Sequence, residues 1–132
     1  MAVLLDTHAV IWYLLDSKNL PSTIYELIDS AAASGAPACM SVISLVEIIY
    51  LVERERVPLE AYARLTKELE GGTTSLRVIP LDTGVADSLQ QVSRDQVPDM
   101  PDRIIAATAL HFGLSLVTHD RRLQAAGVKT IW

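Results

Sequence analysis

The chain has 132 residues, enough for one domain with a proper core, so a single domain over residues 1–132 is expected. Half of it is hydrophobic and a fifth is charged, which excludes a disordered chain, and its longest apolar run, Ala9 to Leu15, is too short to cross a bilayer. The net charge of −5 argues against broad electrostatic attachment to nucleic acid, though not against an enzyme whose acidic site brings its own cations.

The first apolar run, Val3–Leu5, predicts a buried strand, and no basic segment precedes it that would read as a secretory signal. Asp6 follows directly, then a helix is expected over Thr7–Asp16 and a second over Pro21–Ser34, with Pro21 in its first turn. Ala38–Val42 predicts the next strand. Its Cys39 is the chain's one cysteine and reads as a small buried hydrophobe in a reducing cytoplasm. Ser44–Arg56 repeats apolar residues at Leu45, Ile48, Ile49 and Val52, the helical interval, and Leu59–Leu69 predicts an amphipathic helix stopped at the Gly71–Gly72 pair. A strand over Val78–Leu81, a helix over Thr83–Val92 and an apolar helix over Asp102–Phe112 follow, the last closed by Gly113. The chain then reads as a strand over Ser115–Thr118, a short helix over Asp120–Ala126 closed by Gly127, and a final strand over Val128–Ile131. Strands that are apolar throughout and separated by helices predict an α/β fold. The expected form is a three-layer α/β/α sandwich with a central parallel sheet of four to five strands.

All strands of such a sheet end at one edge, and that edge carries the ligand site. Asp6 and Asp120 each follow a strand end, and Glu47 falls in the first turn of the helix after the second strand. The helix that begins at Asp102 must descend from the same edge to reach the strand at Leu116. Four carboxylates from distant parts of the chain are therefore expected on one rim. Each also has a plain structural reading. Ser44-Leu-Val-Glu47 matches a capping box, and Asp6, Asp102 and Asp120 stand where helix caps do. As a set they conflict, because two carboxylates about 5 Å apart at an effective dielectric near 20 repel by about 3 kcal/mol. No Lys or His is regularly interleaved to relieve that repulsion. Hard oxygen donors without Cys or paired His suit Mg²⁺ or Mn²⁺, and such ions on carboxylates are one solution for phosphoryl-transfer chemistry.

Four segments in this order, LLDTH, SVISLVEI, PDRIIAATAL and LVTHDRRL, resemble the PIN-domain family, and within it the VapC-type toxin ribonucleases of prokaryotic toxin–antitoxin pairs. The resemblance runs from Met1 to Trp132. It implies a PIN-like fold and a divalent-metal-dependent endoribonuclease that hydrolyses phosphodiester bonds in RNA. It also implies a homodimer held inactive by a cognate antitoxin, in the cytoplasm and away from membranes. Carried over by position, Asp6, Glu47, Asp102 and Asp120 would be the catalytic and metal-binding acids, with Asp6 and Asp102 the most direct ligands. Mg²⁺ would be the ion, with Mn²⁺ as the other candidate, and Thr7 and Thr118 would assist from beside the acids. The stretch DQVPDMPDR departs from many relatives by carrying Pro101 where they have an aromatic. Asp95 and Asp99 add charge there, and Asp99 reads first as a turn or cap and second as an auxiliary site residue.

Arg103, Arg121 and Arg122 adjoin the site acids in sequence and are candidates for phosphate contact, against a plain reading as solvated or ion-paired surface. His8, His111 and His119 read as structural or exposed rather than as acid–base catalysts, and Trp12, Tyr13, Tyr50 and Trp132 as packing residues. Val46 and Tyr50 are candidates for a dimer or antitoxin surface. Rival readings fail on absent residues. A receiver domain needs paired acids after the first strand and a Lys after the fourth, an Asp-x-Asp phosphatase needs an acid at His8, and a P-loop needs a glycine-rich turn after Leu5. A catalytically inactive PIN-like module that only binds RNA or protein is the alternative to the enzyme.

Overall fold

The computed structural model describes residues 2–70 and 76–132. Its strands are β1 (Val3–Leu5), β2 (Ala38–Ser41), β3 (Leu76–Ile79), β4 (Ser115–Val117) and β5 (Thr130–Ile131). They form one sheet in the order β3-β2-β1-β4-β5, with every neighbouring pair parallel. The helices are α1 (Thr7–Leu14), α2 (Ser22–Ala33), α3 (Val42–Glu53), α4 (Leu59–Glu70), α5 (Thr83–Ser88), α6 (Met100–Phe112) and α7 (Arg121–Gln124), with a 3-10 turn over Leu89–Gln91.

Successive side chains of a strand leave opposite faces, and here both faces are dry. Val3, Leu5, Met40 and Val117 enter one core with Val10 of α1, Ile28 of α2, Ile48 of α3 and Leu65 of α4. Leu4, Cys39 and Leu116 enter a second core with Ile105 of α6 and Leu123 of α7. This is the three-layer sandwich expected from the sequence, with apolar strands because neither face meets water. Cys39 is buried, and burial pushes its thiol pKa up, as an inert core residue requires.

The sheet order positions the site. The chain winds outward from β1 through β2 to β3, then returns to the far side of β1 with β4. The ends of β1 and β4 therefore flank the point where the winding reverses, the crevice in which open α/β sheets place ligands.

Several element boundaries differ from expectation. Strand β3 covers Leu76–Ile79 rather than Val78–Leu81, because Pro80 has no amide to continue the ladder, and Leu81 is left exposed. Helix α2 starts at Ser22 with Pro21 as its flanking cap. The helix expected over Thr83–Val92 stops at Ser88 and tightens into the 3-10 turn, after which Val92 becomes extended and buries in the second core. The stop expected at Gly71–Gly72 lies outside the described residues. Gly113 closes α6 in the left-handed conformation, at φ 65°, as its position predicts. His111 is satisfied by Ser88 at 3.2 Å, and α5 packs so closely on α6 that a Cβ at Gly84 would lie 2.9 Å from the His111 ring.

Leu116 is fully buried in β4, paired with Leu4 on one side and Thr130 on the other. Leu116→Ala is expected to cost about 2–5 kcal/mol, seen as a lowered urea midpoint at unchanged slope.

Candidate active site

Asp6 continues the ladder past the end of β1, its amide donating to Val117 O at 3.1 Å. Its Oδ1 accepts from the Ala9 amide at 2.8 Å and so caps α1, while its Oδ2 accepts from Thr118 Oγ1 at 2.5 Å. The carboxylate is only 5% exposed. The capping role expected of Asp6 is thus real but accounts for one of its oxygens. Thr118 Oγ1 also accepts from the Asp120 amide at 3.0 Å, so one hydroxyl fastens both acids that follow the central strands. Asp120 in turn caps α7 through Oδ1, which accepts from the Arg122 and Leu123 amides at 2.8 and 3.2 Å.

Glu47 departs from its expected setting. The capping box does not form, because α3 starts at Val42 and its cap is Ser41, whose Oγ accepts from the Ile43 amide. Glu47 consequently sits in the second turn rather than the first, and Ser44 is buried and turned to another use. Thr7 Oγ1 donates to Glu47 Oε1 at 2.5 Å and lies 2.9 Å from Ser44 Oγ. Thr7 has one proton, spent on Glu47, so Ser44 is the donor in the second bond. The relay Ser44, Thr7, Glu47 locks α1 to α3 and fixes the carboxylate.

Asp102 is not a cap either. Helix α6 starts two residues before it, at Met100, and Asp99 caps it by accepting from the Asp102 amide at 3.1 Å. The Asp102 carboxylate makes no hydrogen bond among the described residues. Its pKa is pushed up to about 7, by burial first and then by the charges of Asp99, Asp120, Glu47 and Asp6. Glu47 is also raised, chiefly by burial, with Asp99 and Asp6 adding and Thr7 and His8 opposing. Burial raises Asp6 too, against the bonds from Thr118 and Ala9 and the charge of His8. Asp102 feels the charges of all the other three predicted acids and of Asp99, which places Asp6, Glu47, Asp102 and Asp120 on one rim with Asp99 as a fifth.

Among the described residues, no three His, Cys, Asp or Glu side chains stand close enough to make a finished metal cage. The donor chemistry still fits a hard divalent cation. The donors are all oxygen, Asp102 has both oxygens unspent, and the mutual repulsion is of the kind a cation removes.

Two expectations about neighbouring residues change. Arg103 donates from Nε to Val92 O at 3.0 Å and from Nη2 to Leu89 O at 2.8 Å, capping the 3-10 turn and strapping it to α6. Its guanidinium is committed to these carbonyls instead of standing ready for a phosphate. Arg121 and Arg122 are exposed at the start of α7. No Lys or His is regularly interleaved with the acids in sequence, yet His8 lies close enough to Asp6 and Glu47 to act on both. Not expected from the sequence is a cleft in which Asp6 and Asp120 meet four rings: His8, Trp12, His119 and Trp132. The available signal was the spacing of His8 and Trp12, four apart on a helix that opens at Asp6.

The model of the PIN domain family matches residues 3–129. Ribonuclease VapC22 of Mycobacterium tuberculosis is 30% identical over 123 residues, which span 93% of this chain and 90% of that protein. The structure of VapBC2 from Rickettsia felis, bound to a DNA fragment from its promoter, superposes with a TM-score of 0.75 at 18% identity over 99% of this chain and 98% of the other. DNA-bound VapBC from Salmonella typhimurium gives 0.71 at 27% identity, over 99% and 97%. With its all-parallel sheet and its acids gathered at the winding reversal, this chain belongs to the PIN-domain family.

Proposed function

We propose that the protein is a divalent-metal-dependent endoribonuclease that acts in the cytoplasm as the toxin of a toxin–antitoxin pair. The reading rests on the convergence of Asp6, Glu47, Asp102 and Asp120 at the strand ends beside the winding reversal, where they serve as catalytic and metal-binding residues. Similarity to a ribonuclease supports RNA as substrate, and likeness to VapBC assemblies supports a cognate antitoxin as partner. Mg²⁺ is the ion proposed, with Mn²⁺ able to replace it. The proposed assembly is a homodimer. Beside Glu47 an apolar groove of about 350 Å³ is lined by Val46, Tyr50 and Met100, all exposed, and is the surface proposed for the antitoxin.

When bound, the ion would activate a water and stabilise the leaving oxygen of the scissile phosphate. The chain's own residues prepare that chemistry. Thr118 and the Ala9 amide hold both oxygens of Asp6 and leave each a further lone pair. Thr7 fixes one oxygen of Glu47, whose other oxygen serves to orient a water. Asp102, carrying no other bond, completes the donor set. Arg121 and Arg122 take the flanking phosphates, and His8 tempers the charge on Asp6 and Glu47.

Asp6→Asn and Asp102→Asn are each expected to lower RNA cleavage at least a hundredfold with an unchanged circular dichroism spectrum. Sequencing RNA ends after brief expression of wild type and Asp102→Asn, without antitoxin, reads activity and cleavage site together. Chelation should abolish cleavage and added Mg²⁺ restore it. Cleavage retained by Asp6→Asn would overturn the metal mechanism, and absence of cleavage by the metal-loaded wild type would leave the inactive binding module as the better reading.

The raised pKa of Asp102 has a definite sign. Between about 4 and 7 the native state holds a proton that the unfolded chain has lost, so this contribution to stability disappears as pH rises through that range. The metal-free Tm is expected to fall from pH 5 to pH 8. Asp102→Asn should flatten that fall and raise Tm at pH 8 by roughly 3–5 °C, from about 1 kcal/mol after discounting for solvent screening. Millimolar Mg²⁺ should raise the wild-type Tm at pH 8 and leave Asp102→Asn nearly unmoved.

A further inference from the structure

Asp6 and Asp120 form one wall of a cleft of about 250 Å³ whose other walls are His8, Trp12, His119 and Trp132. We propose that this cleft binds one unpaired nucleobase of the RNA, stacked among those rings, and thereby sets the neighbouring phosphate against the acids. The proposal rests on the nuclease reading and names the part of the substrate that this wall recognises.

The rings form a continuous series. His8 meets Trp12 at 5.7 Å between centroids, Trp12 and Trp132 meet in a T-shaped contact at 5.5 Å, and Trp132 stacks on His119 at 5.1 Å with planes 10° apart. Such a series would be ordinary packing if it were buried, but His8 and His119 are exposed and both tryptophans are only half-buried. The chain has two tryptophans, and both are here. The platform is also held in place. Gln124 Nε2 donates to Thr118 O at 3.2 Å and to Trp132 O at 3.1 Å, tying the ends of β4 and β5 together on either side of His119. The volume is below the roughly 300–1,000 Å³ of pockets for drug-sized ligands, and suits a single heterocycle.

Charge decides which part of an RNA enters. A phosphate would meet Asp6 and Asp120 directly, whereas a base offers an uncharged face, and single-stranded RNA is recognised largely by stacking splayed bases on aromatic rings. The protein also needs such a contact. At net charge −5, and with Arg103 engaged by backbone carbonyls, phosphate attraction is a weak source of affinity.

Both tryptophans line the cleft, so intrinsic fluorescence reports on it. The cleavage-blocked Asp102→Asn protein is titrated with a short single-stranded RNA that wild type cuts, and with the same RNA carrying an abasic residue at each position in turn. Saturable quenching is expected, with one abasic position beside the scissile bond weakening binding roughly 5- to 100-fold. Trp132→Ala, checked for an unchanged fold, should weaken binding by a similar factor and lose sensitivity to that abasic position. Trp132→Phe should restore both, and His119→Ala provides an independent second variant. An abasic penalty that persists undiminished in Trp132→Ala and His119→Ala overturns the proposal, even if wild type cleaves RNA normally. So does quenching that responds to the antitoxin but not to RNA. Should wild type cleave no RNA while an unstructured RNA still shows the Trp132-dependent abasic penalty, the base site stands and the nuclease reading falls.

Discussion

A hydroxyl at the end of β4 holds a carboxylate at the end of β1, and the rest of the site is organised around that bond. Asp6 is the one acidic or basic residue that is buried among the described residues. A buried carboxylate is costly unless hydrogen-bonded, and Thr118 together with the Ala9 amide offsets part of that cost. Because Thr118 also receives the Asp120 amide, the same atom sets where α7 begins. The strand seam, the first helix and the seventh are thereby registered to one another through a single side chain.

The five acids of the rim divide two duties between them. Asp6 and Asp120 each cap their own helix through Oδ1, and the second oxygen of Asp6 is held by Thr118. The helices that carry Glu47 and Asp102 are capped by other residues: Asp99 serves for Asp102, and Ser41 stands at the start of the helix that carries Glu47. Asp99 does so at an electrostatic cost to Asp102, whose pKa it helps to raise. The aromatic Tyr13, by contrast, lies far from this economy, donating to Asp29 within the helical layer.

How much was legible in the sequence follows from which forces act locally. The strands were readable because a sheet buried on both faces must be apolar at every position, and β1 and β4 fell at Val3 and Ser115 as expected. Asp6 and Asp120 were readable at the rim because sheet polarity brings strand ends to one edge, and Asp102 because its helix must descend from that edge to reach β4. Helix starts were less so. Ser44 and Asp102 look like caps, but Ser41 and Asp99 stand earlier in the chain and serve equally well, and only tertiary contacts choose between them. Arg103 misled for a similar reason, since its neighbours in sequence are acids and its partners in space are the carbonyls of Leu89 and Val92. The ring series of His8, Trp12, His119 and Trp132 joins α1 to the segments that follow β4 and β5, and no periodicity announces such a meeting.

That joining of distant segments has a bearing on synthesis. The bond from Thr118 to Asp6 closes a span of 112 residues, and β1 lacks its inner neighbour until β4 has been made. A domain folds largely as a unit, and pairings between segments distant in the chain are the slow ones to form. Thr7 can meet Glu47 while the chain is still growing, but Asp6 waits for Thr118, and Asp102 and Asp120 come with the same part of the chain. A growing chain therefore holds no assembled acid rim until the segment from Asp102 to Asp120 has been made.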